Sequence, residues 1–386
     1  MQFPLKHSVT GDSIFTVMSV LAAEYKAINL SQGFPDFPID QRLAEFLHEG
    51  VSKNYNQYAP MSGLPMLRQA ISEDFLSRYA ISLDPEHEIT ITPGATYGIH
   101  VALASILQQG DEAIVLEPAY DSYIPAIEMN GGKAVCVHLN APNFQVDWAR
   151  VRQAITSRTK AIIINSPHNP TGVIWSQSDW ENLAAAIRDT RIVVVSDEVY
   201  DQVVFDQKEH ISVLHHSELR DRSFAIFSFG KVFNNTGWKV GYVVAPPSFT
   251  SAFRRIHQYI GFSVNTPSQY AIATYSTMPG RPIVSALMQE KRDCFLDQLA
   301  QLPFTIHQKA AGSYFQLAGY SAISELPDIE FAYWLTKEFG VAAIPVSPFY
   351  KTRKDDKLIR FCFAKKEDTL HEAIKRLSAL TVLAHK

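Results

Sequence analysis

Lys231 stands where a lysine is poorly hydrated. It follows the apolar run Phe224-Ala225-Ile226-Phe227, which reads as a short buried strand, then a hydroxyl residue, Ser228, and a glycine, Gly230, that lets the backbone turn. Desolvation lowers the pKa of an amine, and an amine so placed is a candidate nucleophile for a carbonyl. A second cation, Lys239, follows the polar turn Asn234-Asn235-Thr236-Gly237 and opens the apolar stretch Val240–Ala245. By itself the stretch also fits an ordinary loop-edge lysine, so its meaning depends on what the other strands end in.

Those ends hold several more groups. Pro93-Gly94-Ala95-Thr96 follows a strand and opens a helix, so free N–H groups and a Thr96 hydroxyl can meet an anion, with Gly94 permitting close approach. A plain strand-to-helix turn has the same composition. Glu117-Pro118-Ala119-Tyr120-Asp121-Ser122-Tyr123 offers Tyr120 as an aromatic face for a planar ligand, or as a tyrosine packed at a domain edge. In Asn165-Ser166-Pro167-His168-Asn169-Pro170-Thr171-Gly172, Asn169 sits on a proline-stiffened turn where an X-Pro bond is a candidate for cis. Asp197 ends the most hydrophobic strand, Ile192–Val195, and a carboxylate there needs a cationic or N–H partner, either a nearby Arg or Lys or a protonated heterocycle. Arg360 lies inside the apolar run Ile359-Arg360-Phe361-Cys362-Phe363, where a guanidinium matches a carboxylate by two parallel hydrogen bonds or simply points outward from an edge strand.

The elements that must position these groups alternate. β-rich runs at 88–92, 113–117, 133–139, 161–165, 191–196, 224–227 and 239–245 are interleaved with helical patterns at 95–108, 147–155 and 179–187, the last with Ser178 and Glu181 as a capping box. Such alternation predicts an α/β unit with a mostly parallel sheet, and ligands then sit beyond the carboxyl ends of the strands. A helix is expected over 13–26 and another over 65–79, and one long helical stretch after Pro246-Pro247. The last hundred residues mix short strands (312–317, 341–345, 358–363) with helices (283–299, 328–339, 367–380), which predicts a smaller α+β domain with the N-terminal helix packed on it.

A chain of 386 residues suits two domains, and its net charge of −4 gives no reason to expect nucleic acid or an anionic membrane as partner. Cys136, Cys294 and Cys362 are scattered, which favours a reducing compartment, here the cytoplasm, over a disulfide framework. Neither a secretory signal nor a membrane-spanning run is present, and no metal is called for.

Taken in order, GAT, a strand-end aromatic, HNPTG, SDEVY, SFGK, GWK and IRFCF resemble the class I aminotransferases, fold type I enzymes that use pyridoxal 5'-phosphate (PLP), from Ser31 to about Phe363. The wording NLSQGFPDF, QYAPMSG, EPAYDSY and FSVNTP is most similar to the branch holding bacterial methionine aminotransferases with their kynurenine and glutamine relatives. The resemblance implies an α/β fold. It has a large domain, 46–280, with a mostly parallel seven-stranded sheet between helices, a small domain, 281–386, and an N-terminal arm, 1–45, packed on the small domain.

It also implies roles. Lys231 would hold PLP as a Schiff base and shuttle the α-proton, and Asp197 would keep the pyridine nitrogen protonated. Asn169 and Tyr200 would hydrogen-bond the ring 3'-oxygen, and Tyr120 would stack on the ring. Gly94, the Ala95 and Thr96 N–H groups, Ser228 and Lys239 would hold the phosphate, and Tyr58 would reach the phosphate of a neighbouring subunit, which implies a homodimer with shared sites. Arg360, with the Gly33 backbone and Asn169, would grip the substrate α-carboxylate.

Phe15 and Phe262 match pocket aromatics of the kynurenine and glutamine relatives, while Ser263 stands where a kynurenine relative has histidine. The loop 258–265 has no arginine for a distal carboxylate, so the expected donor is uncharged, methionine first, then aromatic, leucine-like or glutamine-like amino acids. Kynurenine transamination and cysteine-conjugate β-elimination are the alternatives on the same cofactor. A non-catalytic PLP sensor would be expected to carry a DNA-binding helix pair ahead of the arm, and a Rossmann oxidoreductase would need a GxGxxG after its first strand.

Overall fold

The computed structural model describes residues 5–8 and 11–383. In chain order the strands are β1 (Ile28–Asn29), β2 (Ile89–Thr92), β3 (Glu112–Glu117), β4 (Lys133–His138), β5 (Thr159–Asn165), β6 (Val193–Asp197), β7 (Ser223–Ser228), β8 (Gly241–Val244), β9 (Phe315–Gly319), β10 (Val341–Ala342), β11 (Ile344–Pro345) and β12 (Leu358–Cys362). Seven of them form one sheet in the order β2-β8-β7-β6-β5-β3-β4. Helices cover both faces, which is why the central strands read as unbroken Val/Ile runs and not as alternating patterns.

The sheet direction explains how distant residues converge. β3, β4, β5, β6 and β7 are mutually parallel, whereas β8 is antiparallel to both of its neighbours. The starting end of β8 therefore lies at the finishing end of the others, with Gly241 opposite both Thr92 and Ser228. Lys239, two residues ahead of Gly241, is delivered to the same edge as Gly94, Asp197 and Ser228.

The second layer is antiparallel: β12 pairs with β11 and β9, setting Arg360 opposite Leu317 and Ile344. β1 and β10, far apart in sequence, form a parallel pair, Ile28 with Val341 and Asn29 with Ala342. The first helix, Ile14–Glu24, is started by Ser13, whose Oγ accepts from Thr16 N at 3.3 Å. It buries Met18 and Ala22 against Ala332, Ala342, Ile344 and Phe349.

Two expectations are corrected. The capping box belongs to Ser176 and Asp179, not Ser178 and Glu181: Ser176 takes the extended backbone of an N-cap, its Oγ accepts from Asp179 N at 3.3 Å, and Asp179 Oδ2 accepts from Ser176 N at 2.9 Å. The long helical stretch after Pro246 is two helices, Pro247–Ile260 and Thr266–Ser276. Phe262 turns left-handed at φ 52°, and Asn265 starts the second helix afresh by accepting from Ser268 N at 3.0 Å. Among the described residues no helix is long and apolar enough to cross a membrane, and no cluster of His, Cys, Asp and Glu could hold a metal ion.

Candidate active site

A cavity of about 390 Å³ opens at the carboxyl edge of the seven-stranded sheet and is closed on its far side by the arm and the smaller sheet. One helical turn, Phe229–Val232, follows β7 and carries Lys231 into it. The amine donates to the Gly33 carbonyl at 3.1 Å and lies 5.7 Å from the Tyr200 ring centre. Tyr314 donates its hydroxyl to the Lys231 carbonyl and so anchors the turn. Burial lowers the Lys231 amine to about 8, close enough to neutrality for a nucleophile.

Asp197 faces the same cavity from the end of β6. Its Oδ2 accepts from the Tyr123 hydroxyl at 2.6 Å and its Oδ1 from Val199 N at 3.3 Å. Burial pushes the carboxyl up to about 6 against the pull of those two bonds. A buried carboxylate with only two donors has room for another, and a protonated ring nitrogen supplies one with a charge. Tyr200, buried three residues on, has its phenol pushed well up by burial, so it stays a proton donor. Asn165 joins this strand end to the next: its amide donates to the Asp197 carbonyl at 2.9 Å, and its Oδ1 accepts from Asn169 N at 2.8 Å.

The anion cradle is also assembled. Gly94 caps the helix Ala95–Ile106 at φ 87° with no side-chain cap, leaving the first-turn N–H groups free for a ligand. A β-carbon on Gly94 would stand 3.2 Å from the Lys239 amine, so the glycine is what lets that cation reach the helix start. Ser228 and Thr96 line the same end.

The opposite wall is built around Arg360, which is fully buried. Its two terminal nitrogens donate to Asn169 Oδ1 and to the Ser31 carbonyl, both at 2.7 Å, while Nε has no partner. The guanidinium lies 3.8 Å from the Phe315 ring centre and 5.2 Å from that of Phe15. Burial lowers it to about 10, which still leaves it charged at neutral pH. Because Arg360 takes the Asn169 oxygen, the amide NH₂ of Asn169 is the end left for a ligand.

Of the residues singled out in the sequence, Phe15, Gly33, Gly94, Ala95, Thr96 and Tyr120 line this cavity. So do Asn169, Asp197, Tyr200, Ser228, Lys231, Lys239 and Arg360. Tyr58, Phe262 and Ser263 do not. Tyr58 is 82% exposed and packs edge-on against Phe262 at 5.3 Å, while Ser263 Oγ donates to the Ala59 carbonyl at 3.0 Å. The sequence reading missed Tyr123, Asn165, Tyr314 and Phe315. Tyr123, three residues after Tyr120 in the same quoted stretch, had the clearest signal.

Comparison with known proteins agrees with this geometry. The family model for aminotransferase class I and II matches residues 25–377. The methionine aminotransferase of Escherichia coli K12 is 45% identical over 96% of both chains, and human kynurenine–oxoglutarate transaminase 1 is 33% identical over 92% of this chain and 93% of its own. Among solved structures, a methionine aminotransferase of E. coli superposes with a TM-score of 0.95 at 44% identity, covering 98% of this chain and 100% of its own. N-succinyldiaminopimelate aminotransferase of Mycobacterium tuberculosis superposes at 0.92 with 34% identity, covering 97% and 100%. A phosphate, a flat ring with a basic nitrogen and an aldehyde are the three things that an uncapped helix start, a buried carboxylate with two donors and a desolvated amine would accept together. The chain is a member of the class I and II aminotransferases, enzymes that work through pyridoxal 5'-phosphate.

Proposed function

We propose that this aminotransferase moves the amino group of an uncharged amino acid, methionine before others, to a 2-oxo acid. The carrying observation is the charge of the cavity wall. Lys239 stands at the anion cradle and Lys231 at the sheet edge, so among the described residues Arg360 is the one lining cation left for substrate, with Phe15 and Phe315 against it and Phe34 also lining the cavity. That set holds a single carboxylate and an apolar side chain. The E. coli relative named methionine aminotransferase, 45% identical, supports the same donor.

Lys231 would hold PLP through its amine, Asp197 would meet the ring nitrogen, and Asn169 and Tyr200 would meet the ring oxygen. Tyr120 would cover the ring, and Ala95, Thr96, Ser228 and Lys239 would take the phosphate. Bound there, PLP supplies an electron sink for the bonds at the substrate α-carbon. Arg360 and the Asn169 amide then orient the α-carboxylate, which aims the Cα–H bond at the Lys231 amine. At about 8 that amine is poised to take the proton and return it. Tyr200, whose phenol burial keeps protonated, would donate to the cofactor's ring oxygen.

We also infer a homodimer with shared sites. Tyr58, Tyr259, Ile260 and Phe262 are 82%, 89%, 58% and 41% exposed, the middle two at the end of the helix Pro247–Ile260 and Phe262 just after it against Tyr58, an apolar group that a second copy would cover. Tyr58 would reach the partner's anion cradle, and Phe262 and Ser263 the partner's substrate pocket. We place the enzyme in the cytoplasm, which its three free cysteines favour. The arm, large unit and small unit divide near residues 45 and 280, a division that the arm's β1–β10 pairing supports.

A steady-state panel of amino acids against several 2-oxo acids tests the donor. Methionine is expected to lead in kcat/KM, and a lead by aspartate or glutamate would overturn the reading. Pyruvate release from a cysteine conjugate in the same panel separates elimination from transfer.

A further inference from the structure

Two carboxylates adjacent in sequence, Asp197 and Glu198, leave β6 on opposite faces. Asp197 points into the cavity, while Glu198 points back into the protein and is fully buried. Glu198 Oε1 accepts from Ser196 Oγ at 2.7 Å and from Val213 N at 3.0 Å, and Oε2 lies 2.8 Å from His210 Nε2. His210 Nδ1 is buried with no partner, so its only hydrogen bond among the described residues is the one to Glu198. Three residues on, the same division repeats. Tyr200 faces the cavity and Asp201 points away, 3.1 Å from Arg78 Nη2 and 3.3 Å from the Tyr79 hydroxyl.

The turn 197–201 is thus tied from behind at two points, by a Glu198–His210 bond to the segment before Val213–His215 and by an Asp201–Arg78 ion pair to the helix Pro65–Tyr79. Its own main chain adds Glu198 N to the Ile226 carbonyl at 2.8 Å and Asp201 N to the Glu198 carbonyl at 3.0 Å. Two carboxylates and an imidazole, Glu198, Asp201 and His210, are buried here, and such groups are costly to bury. Apolar residues of similar volume would fill these places at lower cost, yet would leave the turn held by those main-chain bonds without a tie from behind. We propose that Glu198 with His210, and Asp201 with Arg78, are positioning residues that fix the direction of Asp197 and Tyr200 toward the cofactor. None of the four touches the cavity.

The proposal rests on the reading that Asp197 meets the cofactor's ring nitrogen. A carboxylate that loses its orientation there weakens both cofactor binding and the proton equilibrium of the Lys231–cofactor bond, while Arg360 and its neighbours keep their grip on substrate.

The test uses the PLP-loaded enzyme with Glu198→Gln, Glu198→Ala and Asp197→Asn. It measures the PLP dissociation constant, the pH midpoint of the visible absorption band, kcat and KM for methionine, and thermal stability. Glu198→Gln keeps the side-chain length but sets an NH₂ against His210. It should raise the PLP dissociation constant about tenfold, as loss of an outer support does at other tuned sites, with KM for methionine little changed. The absorption midpoint should move by roughly half a pH unit, and Glu198→Ala should exceed both effects. Should either Glu198 variant lose thermal stability while PLP affinity and the midpoint stay at the wild-type values, the residue is structural only and the proposal falls. Should Asp197→Asn itself leave the midpoint and affinity unmoved, the reading of Asp197 fails, and with it the proposal. Asp197→Asn moving them while both Glu198 variants do not sinks the positioning role alone.

Discussion

The two walls of the cavity are made differently. The sheet-edge wall draws Gly94, Asn169, Asp197, Ser228 and Lys239 from the ends of strands in one sheet, so hydrogen bonding within that sheet sets their spacing. The facing wall is gathered from the arm (Phe15, Gly33), from β9 (Phe315) and from β12 (Arg360), held by contacts between segments hundreds of residues apart. One wall is charged and would hold the same cofactor in every turnover. The other is aromatic around a single guanidinium and meets whichever substrate arrives. A fixed chemistry suits a rigid edge, and a variable partner suits a wall whose residues can change without disturbing that edge.

Substitutions can test this contrast. Lys231→Ala removes the proposed nucleophile and proton carrier and should cut turnover by about 10⁴-fold or more with the fold intact. Borohydride reduction of the PLP-treated wild-type protein, read by mass spectrometry, should leave the cofactor on Lys231, and an active variant would falsify the assignment. Next comes Asp197→Asn, which should lower kcat about 10³-fold in single-turnover measurements.

That same change should stabilise the cofactor-free protein. Burial raises the Asp197 carboxyl from 3.8 to about 6, so the folded state binds its proton more tightly than the unfolded state does. Stability from this group is full below pH 4 and is lost as pH rises through 6. Above pH 6 the charged form costs the native state up to about 3 kcal/mol, which asparagine avoids. Melting curves of the two apoproteins should therefore separate above pH 6 and merge near pH 4.

On the facing wall the effects should be smaller and selective. Arg360→Ala should raise KM and lower kcat together, losing about 10²-fold in kcat/KM for every amino acid alike, since it removes a buried charged contact to the shared carboxylate. A loss confined to one donor would break the contrast. Phe15→Ala should lower kcat/KM for methionine relative to alanine by about tenfold and leave PLP affinity untouched.

The same contrast decides what could be read from sequence. The strand-end residues follow apolar runs, so the run announces where each will sit, and parallel pairing does the rest. Phe315 carries no such marker: it reaches Arg360 only because β9 lies antiparallel to β12 with Leu317 opposite Arg360, and that register is a long-range fact. Tyr123 and Tyr120 are three apart and both near the cavity, but which one reaches Asp197 depends on the helix starting at Tyr123. The misplaced capping box has a local cause. Ser176 and Ser178 both precede an acidic residue by three, and the choice falls to Ser176 because Trp175 N is tied to Ser166 Oγ at 2.9 Å, which fixes where the chain enters the helix. Glu198 went unread because alternation along a strand says that it faces away from Asp197, not what waits there.

The bond from Arg360 to the Ser31 carbonyl spans 329 positions. On a ribosome, the sheet edge with Lys231 and Asp197 emerges well before the segment that completes the substrate wall. A nascent chain released just short of β12 would already hold Lys231 and Asp197 but would lack Arg360, the guanidinium proposed to grip an amino acid's carboxylate. The substrate wall is thus the last part of the cavity to be completed, and it waits on the strand that also joins the smaller sheet together.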